Sequence, residues 1–89
     1  MALVLTMQTG EDFYVRDQRV TVHKIMSPTK FVLSKADGEQ VTITDRRAVE
    51  LFDKVFVSAG ARGQDNQARV SIEADRAIPL VRGVNYRRA

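Results

Sequence analysis

The sequence predicts a mostly β fold of small, intertwined antiparallel sheets with one short α-helix. Three observations predict it. Apolar residues recur at every second position in five separate runs, so each run has one apolar and one wet face. Turn-forming residues separate the runs. A single internal segment carries an apolar stripe at helical spacing.

The elements follow in order. Residues 3–7 and 13–15 are apolar without alternation and read as strands buried on both faces. Gly10-Glu11-Asp12 supplies the turn between them. Val20 and Val22 alternate with Thr21 and His23, and Ser27-Pro28 ends that run. Phe31 and Leu33 alternate with Lys30 and Ser34; Val41 and Ile43 alternate with Thr42 and Thr44. Asp37-Gly38 between these two runs predicts a tight hairpin, because both residues tolerate positive φ. Ala48, Leu51 and Phe52 fall at i, i+3 and i+4, which predicts a helix around 45–53 capped by Thr44 or Asp45. At about two turns it must dock on a sheet to persist. Val55 and Val57 resume the strand period; Gly60 to Asn66 is a polar loop. Ala68, Val70, Ile72 and Ala74 alternate with Arg69, Ser71 and Glu73, and Asp75-Arg76 turns the chain. Pro79 lacks an N–H for a ladder, so 78–82 reads as an edge strand or as a strand with that position facing outward. Asn85 to Arg88 reads as a second, frayed helical turn.

Composition bounds the class. Eighty-nine residues make one compact domain, 1–89, in which a weak internal repeat allows a pseudo-duplication into 3–52 and 54–88. A chain this short buries only about 60–65% of its unfolded surface, so the core is thin. There is no Cys, which removes disulfides, thiolate metal sites and Cys nucleophiles. The apolar runs are too short to span a membrane, and the expected location is cytoplasmic. His23, the one imidazole, sits on the polar phase of a strand, where a surface role outweighs a metal site. Ser27, Ser34, Ser58 and Ser71 show no pairing with it, so neither enzyme activity nor a cofactor is expected.

Charge is uneven. Residues 1–53 hold seven basic and eight acidic side chains; residues 54–89 hold seven basic and three acidic. Six of the late cations are Arg62, Arg69, Arg76, Arg82, Arg87 and Arg88, and Arg presents a donor fork suited to phosphate and base edges. Gly60-Ala61-Arg62-Gly63 has the form of an RNA-clamping G-x-x-G loop, but lying between strands it reads as a flexible connection. Tyr14, Phe31 and Tyr86 are candidates to stack on bases, although the phase of Phe31 places it in the core.

Leu3-Val4-Leu5-Thr6, Gly10-Glu11 and Arg19-Val20-Thr21-Val22 together resemble the opening of the carbon storage regulator (CsrA/RsmA) family. Asn66 to Ala74 looks like that family's middle strand, and Ile78-Pro79-Leu80-Val81-Arg82 looks like its last strand with its arginine. The resemblance implies strand-swapped sheets, formed by a homodimer or by a single-chain pseudo-dimer. It implies a bacterial-type, post-transcriptional regulator of translation that binds GGA-bearing RNA stem-loops where the first and last strands meet. Family members have about 60 residues. The extra length is either an insertion after the second strand or a second, partial unit; strand order favours the second.

Carried over residue by residue, the resemblance places RNA contacts at Leu5, Thr6, Gln8, Val81 and Arg82, with Arg62 and Arg76 as compensating cations. Two arginines that follow L-T in the family are Met7 and Gln8 here, and Asp45 stands at the strand-five arginine position of the first unit. These departures weaken the expected RNA site. They leave a second expectation, a protein-interaction variant of the same fold that modulates a family member or another protein.

Overall fold

The structure, a computed structural model, describes residues 2–27, 29–60 and 67–88. Among the described residues, nine strands precede one helix: Ala2–Met7 (β1), Asp12–Val15 (β2), Gln18–Ser27 (β3), Lys30–Lys35 (β4), Gln40–Thr44 (β5), Val49–Phe52 (β6), Val55–Ala59 (β7), Ala68–Ala74 (β8), Leu80–Arg82 (β9) and Gly83–Arg88 (α1). They form two antiparallel sheets, in the order β1-β8-β7-β6 and β5-β4-β3-β2-β9.

The two sheets face each other across one hydrophobic core. Phe13, Val20, Val22, Phe31, Leu33 and Ile43 enter it from the five-stranded sheet; Leu5, Met7, Val55, Val57, Val70 and Ile72 enter from the other. The alternation seen in the sequence explains this division. In β8, residues 68, 70, 72 and 74 are buried while Glu73 is exposed. A register shift after Val22 in β3 changes the phase, so that Ile25 rather than Lys24 leans inward.

Sheet register then knits distant segments together. β1 pairs with β8, Leu5 opposite Val70 and Thr6 opposite Arg69. β9 pairs with β2, Arg82 opposite Phe13. Both β1 and β9 are therefore edge strands. Pro79 stands just before β9, where its missing N–H costs no ladder bond, and its carbonyl accepts from the Arg16 N–H at 2.9 Å.

Three expectations are corrected. The helix around 45–53 is absent: Val49–Phe52 is β6, and Asp53-Lys54 turns it back onto β7 with Phe52 opposite Val55. Leu51 satisfies a period of two from Val49 as well as the i+3 spacing from Ala48, and pairing with β7 gives the segment a ladder that a two-turn helix lacks. Among the described residues the one helix is α1, over the tail turn that the sequence predicts. Residues 3–7 are not buried on both faces: β1 is an edge strand, and Val4 is 48% exposed. The Asp37-Gly38 turn forms, but as a three-residue loop. The Gly38 N–H bonds the Lys35 carbonyl at 2.9 Å, and only Gly38, at φ 91°, takes positive φ.

Candidate nucleic-acid interface

The β1–β2 connection sets the geometry. The Glu11 N–H donates to the Gln8 carbonyl at 3.0 Å, and Gly10 at φ 91° supplies the positive φ that a type II turn needs at its third position. The Glu11 carboxylate accepts from the Gln8 N–H at 2.6 Å and closes the turn. This turn passes the chain from one sheet to the other, so β1 and β2 lie in different layers at one edge of the sandwich. β9 pairs on the outer side of β2 and so borders the same edge.

Arg82 joins the layers there. Its Nη2 donates to the Thr6 carbonyl at 3.2 Å, linking two positions 76 residues apart. It makes no ion pair with Glu73 or Asp75. Beside it, Gly10, Glu11, Asp12, Arg82 and Val84 line a cleft of about 160 Å³. Asp12 is almost fully buried, and its Oδ2 accepts from Arg19 Nε at 2.7 Å. The cleft thus sets one cation beside two carboxylates, one of them held by a neighbouring arginine.

The other expected contacts divide. Thr6 and Gln8 are exposed along this edge, and Val81 is half-buried opposite Tyr14. The Leu5 side chain is buried in the core, because it shares the inward phase of β1 with Met7, so it offers a ligand only its backbone. Arg76 lies elsewhere: the antiparallel register carries β8 past Ala2, which is four residues, or about 13 Å, along β1 from Thr6. Arg62 lies outside the described residues. Phe31 is fully buried and Tyr14 half-buried. His23 is exposed, with its Nε2 3.4 Å from Gln40 Nε2.

Sequence reasoning missed Asp12, Arg19 and Val84 as members of this edge. The G-E pair pointed to the turn, but nothing local marks a carboxylate that packs against Gly83, 71 positions later. Among the described residues no cluster of His, Asp and Glu is arranged to hold a metal, and no helix is long and apolar enough to cross a membrane.

The fold and edge define a small two-layer antiparallel β protein with an arginine-bridged rim. Comparison with models of known protein families, with curated proteins and with solved structures yields no match.

Proposed function

We propose that this rim binds GGA-bearing RNA loops and that the protein acts as a post-transcriptional regulator. The observation that carries the proposal is the Arg82–Thr6 bridge, which makes one surface of the first and last strands within a single chain. The cleft chemistry adds support. Guanine offers acceptors at N7 and O6 and donors on its Watson–Crick edge; Arg82 donates, and Glu11 accepts. At about 160 Å³ the cleft is below the ~300–1,000 Å³ of small-molecule sites and suits a single inserted group.

The test is a fluorescence titration of the full chain with a GGA hairpin and a scrambled hairpin. Tighter binding of the GGA hairpin, lost in Arg82→Ala by roughly 10–100-fold, is the expected result; this corresponds to one charge-assisted bond of about 1.5–3 kcal/mol. Equal affinity for both hairpins overturns it. The acidic pair Glu11 and Asp12 in the cleft favours a second reading, a protein-binding variant of the fold. Co-purification with a carbon storage regulator protein, together with RNA affinity no tighter than non-specific, supports that reading instead.

A further inference from the structure

A second cleft, of about 630 Å³, lies away from the rim and is lined by Ser27, Thr29, Lys30, Thr44, Asp45 and Arg46. The end of β3, the start of β4 and the chain leaving β5 build it, because Lys30 sits directly opposite Thr44. Ser27 is seven residues along β3 from Val20, which aligns with Arg82 through Phe13; that is roughly 20 Å of strand.

Its donor set is one-sided. The Thr44 Oγ1 accepts the Arg46 N–H at 3.4 Å, so its own O–H remains to be donated. Ser27 and Thr29 hydroxyls meet at 3.5 Å; that contact uses one O–H and leaves the other. Lys30 and Arg46 are exposed and make no ion pair among the described residues, and Arg47 follows directly. Against these stands one carboxylate, Asp45. Free hydroxyl donors and unpaired cations surrounding an open cleft call for a ligand that only accepts hydrogen bonds and carries negative charge.

We infer that this cleft binds a phosphate group, either as the free ion or within a nucleic-acid backbone. The inference stands independently of the rim's specificity. The experiment is an amide-resolved NMR titration of the full chain with inorganic phosphate, with chloride at matched ionic strength, and with a short unstructured oligonucleotide. Saturable shifts at residues 27, 29, 30 and 44–46 are expected with phosphate or with the oligonucleotide but not with chloride. They weaken at least tenfold in Lys30→Gln/Arg46→Gln, whose exposed side chains leave the fold intact. Response to phosphate identifies the free ion as sufficient; response to the oligonucleotide alone identifies the phosphodiester backbone. Shifts no different from those with chloride in both arms, or shifts that persist in the double variant, overturn the inference. Loss of GGA preference at the rim leaves this result unaffected.

Discussion

The Asp12 carboxylate occupies the space that a side chain on Gly83 would need: a Cβ at Gly83 would overlap Asp12 Oδ1 and Cγ. Glycine here is a matter of packing, since the start of α1 passes directly over a buried acid. Gly83→Ala forces either α1 or the Asp12–Arg19 pair to move. Its expected cost is about 1–3 kcal/mol. For a domain of this size that lowers Tm by several degrees, roughly 4–8 °C per kcal/mol, as read by thermal denaturation.

The Asp12–Arg19 bridge at 2.7 Å links a nearly buried acid to a cation that is half exposed. Solvent around Arg19 screens the pair, so its coupling falls below the usual range for charged hydrogen bonds, to about 1 kcal/mol. A double-mutant cycle with Asp12→Asn and Arg19→Gln measures this directly in urea. Additive effects would show that the pair is not coupled.

Met7 and Gln8 stand where the family resemblance expects two arginines, and the structure separates them. Met7 is 1% exposed and faces Ala68, whereas Gln8 is exposed beside the rim. Met7→Arg therefore places a charge in the core and is expected to cost several kcal/mol, visible as loss of cooperative unfolding. Gln8→Arg leaves Tm nearly unchanged and tightens GGA-hairpin binding up to about tenfold in the titration.

Salt dependence gives a further check. With Arg82 the one cation in the rim cleft, the slope of log K against log salt for the hairpin should be shallow, about −0.7 for a single phosphate contact. Arg82→Ala reduces it by about one contact if that side chain neutralises a phosphate. An unchanged slope with lost affinity assigns Arg82 to a base.

Strand phase was legible where apolar and polar residues alternate strictly, as around Val70 and Ile72, because burial on one face is a local property of the chain. The segment Val49–Phe52 was not, because Leu51 and Phe52 satisfy helical spacing while β7, which settles the matter, follows only after the turn. The edge position of β1 was equally hidden: an apolar run does not reveal whether a neighbour will cover its outer face. At the candidate site, the meeting of Thr6 and Arg82 followed from the family resemblance. The Asp12–Gly83 contact had no signal at all, since it exists only once β9 has paired with β2 and carried the start of α1 over the acid.

The pairing of β1 with β8 and of β9 with β2 also governs the order in which the molecule can assemble. Strands β2 to β5 form a local meander that can close early, but β1 has no ladder until the segment 68–74 arrives. Its uncharged stretch Ala2–Met7 stays without a partner through most of the search. Closing so long a loop late makes folding slow for the protein's size, and it makes the unpaired first strand the segment most prone to join another chain.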